Sequence, residues 1–474
     1  MSRTKIVATI GPATCSPEHL RALAAAGMTV ARLNASHADP AWHAAAIAMV
    51  RATLPGVPIL LDVPGRKIRT AQLASDIRFS RGDELVLTSD SGPLNDRRIP
   101  LNRADAHANV RPNMRILADD GTITLTVLSV TGHDIRCRAE VDGTLGSRKG
   151  INVPGMRLSD ELFTPRDREW LGFAAQHAVD FIGLSFVETG SHVRQARDLL
   201  GTRPPLVLAK IETQRGVEQL AEILVEADAL MIDRGDLSAD VQLADLAILQ
   251  KHILSVSRSA GKPVIVATEM LHTMITNRAP TKAEVADITN AVLDGCAATM
   301  LSGETAVGSY PVEAVTVMRQ IATAAEAHLQ NTLDAPHEED RQKIPEVTAQ
   351  AVALICRLLP VTRIIAVTRL GYAARAIAAL QPRQPILAVS NDAAAARSFN
   401  LLPGTEGVFI DVPFERSSTD HVLACLRHLW KAGKLHREDL VLVCALAYPK
   451  SGNRMNHVET HVVGDLVDAL QWAE

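Results

Sequence analysis

The chain has 474 residues, 47% of them apolar but only 3% aromatic, and a formal net charge of −4. This length predicts roughly two to four domains, and a slightly acidic balance with no basic run gives no electrostatic case for nucleic acid. Six scattered cysteines without C-x-x-C spacing argue against a disulfide framework, no apolar run reaches membrane-spanning length, and Met1 leads almost directly into Lys5-Ile6-Val7. The expectation is a cytoplasmic enzyme with reduced thiols and no membrane partner.

Eight short apolar segments can be marked in order: Ile6–Ile10, Thr29–Leu33, Ile59–Asp62, Phe181–Phe186, Leu206–Ile211, Ala229–Ile232, Val264–Ala267 and Ala298–Leu301. Amphipathic stretches separate most of them, among them Glu18–Ala26, Pro165–His177, Leu243–Ser259 and Lys282–Leu293. Short apolar runs read as buried parallel strands, and eight alternations with helices predict a (β/α)8 barrel. One connection breaks the rhythm. Between Thr70 and about Leu158 the helical pattern gives way to strand-like runs punctuated by Arg81-Gly82-Asp83, Asp119-Asp120-Gly121 and Val141-Asp142-Gly143. The chain therefore divides into a barrel over 1–70 and 157–330, an inserted all-β lid over 71–156, and a C-terminal α/β domain over 343–474, after a polar acidic linker.

Polar residues stand just past six of the eight strands: Arg32, Asn34 and Ser36; Asp62; Lys210 and Glu212; Asp236; Thr268; Ser302 and Glu304. Barrels place their chemistry at the carboxyl ends of strands. Carboxylates and an ammonium converging there suit a divalent cation and an anion that develops charge during reaction.

The same segments carry a family resemblance. Thr4–Pro12 (TKIVATIGP), Ala31–His37 (ARLNASH), Leu61–Thr70 (LDVPGRKIRT), Leu145–Met156 (LGSRKGINVPGM), Ala209–Glu212 (AKIE), Arg234–Leu237 (RGDL), Ala267–Leu271 (ATEML) and the stretch Ala291–Val315 closely resemble pyruvate kinases, in family order. The resemblance implies transfer of the phosphoryl group of phosphoenolpyruvate to ADP, giving pyruvate and ATP, in a homotetramer that uses Mg2+ or Mn2+. It implies that Glu212 and Asp236 hold the metal and that Lys210 and Arg32 face the moving phosphoryl group. Gly235, Asp236 and Thr268 would cradle the substrate carboxylate, and Thr268, Ser302 and Glu304 would serve the proton relay. For the nucleotide it points to Arg69, Lys149, Pro12, His37, Trp42 and Asp120. Trp42 reads equally as a helix-face aromatic covering the barrel edge, and Asp120 by itself as part of a hairpin turn.

Several departures from the family pattern matter. Asn34, Ser36, Asp62 and Val63 outline a vestigial K+ site, while Lys67 stands where a glutamate is usual, so K+ is expected to be dispensable. Arg66, Ser238 and Glu269 replace a proline, a glycine and a glutamine, and Glu269 adds a negative charge beside the cradle. In the C-terminal domain, Leu370 and Ala373 replace hydroxyl residues in the loop Thr368–Ala373, which removes phosphate partners, and no activation by fructose 1,6-bisphosphate is expected. Two other readings exist. An Mg2+–enolate lyase or aldolase would not need Lys210, Lys149 or two phosphate-binding arginines, and filled catalytic positions argue against a non-catalytic regulatory relative.

Overall fold

The computed structural model describes residues 3–90, 97–103, 105–119, 121–154, 163–201, 204–329, 344–415, 418–446 and 455–472. Eight parallel strands close into a barrel: β1 (Lys5–Thr9), β2 (Val30–Asn34), β3 (Ile59–Val63), β4 (Phe181–Leu184), β5 (Leu206–Ile211), β6 (Ala229–Asp233), β7 (Val264–Ala267) and β8 (Ala298–Leu301). β8 pairs with β1, so no edge is left open. The helices between them start where the sequence supplies caps. Thr164 with Asp167, and Thr281 with Glu284, form capping boxes ahead of Pro165–Gln176 and Lys282–Leu293, while Asp39 caps Pro40–Thr53.

Side chains alternate along a strand, and this alternation builds two cores. Outward residues such as Ile6, Leu33, Ile59, Leu61, Ile182, Val207 and Val266 pack against the helices. Inward residues Val7, Val30, Leu60, Phe181, Leu208, Met231, Ile265 and Met300 fill the barrel, and Leu401 of the C-terminal domain plugs its floor. The interior is solid up to the last layer, where the alternation reaches charged residues.

The inserted domain leaves after β3. A seven-stranded sheet begins at Ile68–Arg69, which pairs antiparallel with Gly150–Asn152. Expected strands are present at Glu84–Thr88, Arg115–Ala118, Ile123–Thr131 and Asp134–Ala139. Gly143–Leu145 pairs separately with Ile77–Phe79.

The C-terminal domain is a five-stranded sheet with the order β11 (Thr405–Phe409), β10 (Ile386–Ser390), β9 (Arg363–Val367), β12 (Leu440–Ala445) and β13 (His457–Val462). Only β13 runs antiparallel to its neighbour. In the loop after β9 the Thr368 hydroxyl already accepts the Gly371 N–H at 3.1 Å, and Leu370 points to solvent at 67% exposure. Among the described residues no helix is long and apolar enough to cross a membrane.

The C-terminal domain docks on the floor through buried polar contacts as well as Leu401. Lys5 Nζ donates to the Thr405 carbonyl at 2.5 Å, and the Gly404 N–H donates to the Arg3 carbonyl at 2.8 Å. Asp180, just ahead of β4, takes Arg51 at 2.5 Å, Arg397 of the C-terminal domain at 2.8 Å and the Ile59 N–H at 2.8 Å. Removing one partner of a buried charge cluster leaves the others unpaired, so Asp180→Ala should cost about 3–5 kcal/mol. Calorimetric unfolding should show a lowered midpoint, with a smaller loss for Arg397→Leu, whose side chain is 21% exposed.

Candidate active site

Counting inward along each strand leads to one layer at the carboxyl end of the barrel. Two residues past Val7 is Thr9, past Val30 is Arg32, past Leu60 is Asp62, past Leu208 is Lys210, and past Met231 is Asp233. On β4 the series is Phe181, Gly183 and then Ser185, and a Cβ on Gly183 would come within 3.3 Å of Asp62 Oδ1. Glycine there makes room for the carboxylate.

Lys210 Nζ is the hub of this layer. It stands 2.8 Å from Glu212 Oε1, 3.3 Å from Asp62 Oδ1 and 3.3 Å from Asp233 Oδ2, and it donates to Ser185 Oγ at 2.9 Å. Burial would discharge a lysine, but Asp62, Glu212 and Asp233 outweigh it and hold the ammonium well above its ordinary pKa. Arg32 is fixed beside it, with Nε and Nη2 donating to Asp62 Oδ2 at 2.9 and 2.7 Å and Nη1 donating to Thr9 Oγ1 at 2.9 Å.

Glu212, Asp233 and Asp236 form the acidic side, each offering an oxygen within 4.8 Å of the others. Burial pushes the Glu212 carboxyl up, against Lys210 and with help from Asp236 and Asp233. Burial and Asp233 likewise raise Asp236, against the ion pair that Lys67 makes with it. Burial also opposes ionisation of Asp233, but Lys210, Lys67 and Arg32 win and hold it below the usual range. Glu212 Oε2 accepts the Phe186 N–H at 2.7 Å, whereas Oε1 takes no well-directed hydrogen bond. Three crowded carboxylates with an oxygen each close together fit a hard divalent cation such as Mg2+ or Mn2+.

Next to this triad the chain bends sharply. Thr268 and Glu269 are both left-handed, at φ 68° and 56°. Arg234 holds the corner, with Nη2 donating to the Thr268 carbonyl at 2.7 Å while Nη1 donates to Asp287 at 2.7 Å. The Gly235 N–H donates to Thr268 Oγ1 at 2.8 Å. Above the rim a cleft opens toward the inserted domain, bounded by Lys67, Ile151, Phe186, Gly235 and Asp236.

Comparison with known proteins agrees with this layout. Residues 1–315 match the family model described as pyruvate kinase, barrel domain, and residues 346–459 match that described as pyruvate kinase, alpha/beta domain. A pyruvate kinase of Mycobacterium intracellulare is 36% identical over 471 residues, covering 98% of this chain and 99% of its own. One from Bacillus licheniformis is 36% identical over 480 residues, covering 98% and 81%. Pyruvate kinase 2 of Synechocystis is 38% identical over 424 residues, covering 87% and 71%.

The chain belongs to the pyruvate kinase family. It is thereby placed among phosphotransferases, and the other positions that the family resemblance picked out can be located. Ser302 and Glu304 follow β8, where Glu304 accepts the Ser302 N–H at 2.7 Å and the Leu271 N–H at 3.1 Å, bracing the two loops together. Asn34 Oδ1 accepts the Ser36 N–H at 3.1 Å, and the buried Val63 offers its carbonyl to Ser185 Oγ at 2.9 Å. Of the outlined K+ residues, Asp62 is taken by Arg32 and Lys210, while Lys67 reaches Asp236.

On the side assigned to nucleotide, Arg69 Nη1 donates to the Arg148 carbonyl at 3.1 Å and Lys149 pairs with Asp119 at 2.8 Å. Asp120 lies outside the described residues. Burial and the nearby Arg69, Arg32 and Arg148 lower the His37 pKa, so His37 stands beside this cationic mouth as a neutral ring. Pro12 is exposed on the loop after β1. Trp42 is partly buried against the barrel's outer core and meets His43 edge to face at 5.0 Å. Ser238 Oγ donates to the Gly235 carbonyl at 3.0 Å, Arg66 is buried, and Glu269 is exposed.

Asp233, Ser185 and Arg234 were not singled out from the sequence. The first two had a signal in the strict alternation from Met231 and from Phe181. Asp233→Asn keeps the shape but removes one anionic oxygen and one partner of Lys210. Mn2+ titration of the protein alone, followed by electron paramagnetic resonance, should show affinity weakened by about tenfold or more. An unchanged isotherm would confine the ion to Glu212 and Asp236.

Proposed function

We propose that this chain transfers the phosphoryl group of phosphoenolpyruvate to ADP, yielding pyruvate and ATP, with a divalent cation and without K+. The observation that carries the reading is the Lys210 ammonium, kept charged by three carboxylates directly beside the Glu212–Asp233–Asp236 triad. The sequence resemblance adds a homotetrameric assembly to this reading.

Phosphoryl transfer is catalysed chiefly by positioning and by neutralising charge on the equatorial oxygens. Arg32 uses three N–H groups on Asp62 and Thr9, which leaves two of its five for a phosphate. Lys210 faces the same space as a fixed point charge. In this reading the Asp236 N–H, in the first turn of Arg234–Asp240, and the Thr268 hydroxyl receive the substrate carboxylate, while the Gly235 N–H, which donates to Thr268 Oγ1, orients that hydroxyl. Glu212 and Asp236, with Asp233 beside them, would hold a divalent cation such as Mg2+ or Mn2+, which would supply Lewis-acid charge to the reaction. As an ADP oxygen forms the new P–O bond, the bond to the enolate oxygen breaks, and the enolate carbon takes a proton to become pyruvate. Thr268 and Ser302 line the path for that proton through water. Glu304 serves the path by fixing both loops, since each of its oxygens already accepts a backbone N–H. Arg69 and Lys149 give the nucleotide phosphates a cationic mouth, beside which His37 presents a ring that burial and the neighbouring arginines keep neutral.

A lactate-dehydrogenase-coupled assay tests the reaction itself. Lys210→Met should lower kcat by about 10²–10³ with little change in KM, the size expected for one preorganised electrostatic group. Retention of more than about a tenth of kcat would make the lysine structural, because a tenfold loss is only about 1.4 kcal/mol.

The Lys67–Asp236 ion pair supports K+ independence, because a fixed cation already stands among the carboxylates. Activity in tetramethylammonium buffer should change less than twofold on adding KCl, and Lys67→Glu should create a K+ requirement. A large, saturable activation of the unaltered chain by K+ would contradict this.

A further inference from the structure

The connection that carries Lys67 is gripped from a distant part of the inserted domain. In the seven-stranded sheet Ile68–Arg69 stands at one end of the strand order and Arg98–Pro100 at the other. The two ends nevertheless meet, because Thr70 and Leu101 form an antiparallel bridge and the Ala71 N–H donates to the Pro100 carbonyl at 2.8 Å. Asn102 extends this seam back along the connection. Its Nδ2 donates to the Lys67 carbonyl at 3.3 Å, its Oδ1 accepts the Arg69 N–H at 2.9 Å, and its own N–H donates to the Arg69 carbonyl at 2.9 Å. We propose that Asn102 is a positioning residue, whose amide fixes the backbone on both sides of Ile68 so that the Lys67 ammonium stays on Asp236.

A side-chain amide carries a donor and an acceptor side by side, so one residue can serve the Lys67 carbonyl and the Arg69 N–H together. The next residue adds a second grip. Arg103 Nη1 donates to the Arg66 carbonyl at 2.9 Å, and Arg103 Nε is itself held by Asp105 Oδ1 at 2.7 Å. On the opposite flank Ile68 and Arg69 pair with Ile151 and Gly150. A Cβ on Gly150 would come within 3.2 Å of Lys67 Cε, so glycine there keeps the path of the lysine clear on its way to Asp236. The backbone over 66–69 is thus held from both sides, and only the side-chain torsions of Lys67 remain to be ordered by the ion pair.

Asp236 belongs to the acidic triad, so a lysine held on it competes with any divalent cation for the same carboxylate. Releasing the backbone of Lys67 weakens that competition. Asn102 therefore acts on the triad through Lys67, and its effect should vanish when Lys67 is absent. The inference rests on the reaction proposed above only where turnover is measured, because cation binding needs no substrate.

A double-mutant cycle between Asn102→Ala and Lys67→Met tests it, with Mn2+ titrated into the full chain and followed by electron paramagnetic resonance. Asn102→Ala should tighten Mn2+ binding about two- to tenfold, the worth of one hydrogen bond that no longer steadies its competitor. In the Lys67→Met background the same substitution should change Mn2+ affinity less than about twofold, the limit expected of independent sites. In the coupled assay Asn102→Ala should lower kcat in the parent but not in the Lys67→Met background. A residue that merely stabilised the inserted domain would act alike in both backgrounds. The proposal is overturned if Asn102→Ala binds Mn2+ like the parent, or if its effect on Mn2+ affinity or on kcat persists in full without Lys67. A parent chain without turnover would refute the reaction and leave the Mn2+ cycle to decide the role of Asn102. Should Asn102→Ala fail to fold, Asn102→Ser, whose hydroxyl is too short to span both partners, is judged by the same criteria.

Discussion

The Lys210 ammonium lies out of water, between Asp62, Glu212 and Asp233, at the top of a barrel otherwise filled with aliphatic side chains. Burying a charge of this kind costs several kcal/mol unless partners surround it, and each partner in turn needs a partner. Asp62 answers to Arg32 as well, Arg32 also bonds Thr9, and Asp236 answers to Lys67. Four carboxylates and three cations thus form one layer in which no member can be removed without uncovering another. The layer is stable only as a set, and it still has one acid more than it has bases. That surplus faces the cleft below the inserted domain, where a divalent cation is the natural complement.

The corner at Thr268 and Glu269 adds a second constraint. Two consecutive non-glycine residues with positive φ cost about 1–3 kcal/mol each, and the first of them is β-branched. The strain persists because Arg234 grips the Thr268 carbonyl, the Gly235 N–H grips its hydroxyl, and Asp287 anchors Arg234 from the helix Lys282–Leu293. What this achieves is placement. The same bend brings the Thr268 hydroxyl to the N–H groups of the Arg234–Asp240 turn, where an extended continuation of β7 would carry it away. Arg234 acts through the corner and is a positioning residue.

The barrel was legible in the sequence because parallel strands buried on both faces give unbroken apolar runs, and all eight marked segments coincide with strands. The residues past those runs gave most of the site for the same reason. Asp233 and Ser185 escaped because each lies beside a more conspicuous neighbour, Asp233 before Arg234-Gly235-Asp236 and Ser185 inside an apolar run. Only the inward alternation, counted from Met231 or Phe181, distinguishes them. Arg234 stood in the RGDL motif, but its role could not be read, since its partners Thr268 and Asp287 are 34 and 53 residues away. In the C-terminal domain, β11 and β13 carry no unbroken apolar run to mark them, because Thr405-Glu406-Gly407 and His457–Val462 place polar residues on edge strands. Edge position, which makes such residues tolerable, is a tertiary property.

Packed side chains run continuously from Leu401 at the floor up to the charged layer at the rim. The inserted domain is attached differently. It leaves the barrel after Val63 and forms its first strand at Ile68–Arg69, so Lys67 stands in the connection itself. Its ammonium nevertheless rests on Asp236, one oxygen of the acidic triad. Any rotation of the inserted domain about this connection moves Lys67 relative to Asp236, and any cation that takes Asp236 competes with Lys67 for the same carboxylate. The angle of the inserted domain and the charge state of the triad are therefore coupled through a single ion pair. A glutamate at position 67 would reverse the sign of that coupling and oppose the triad instead.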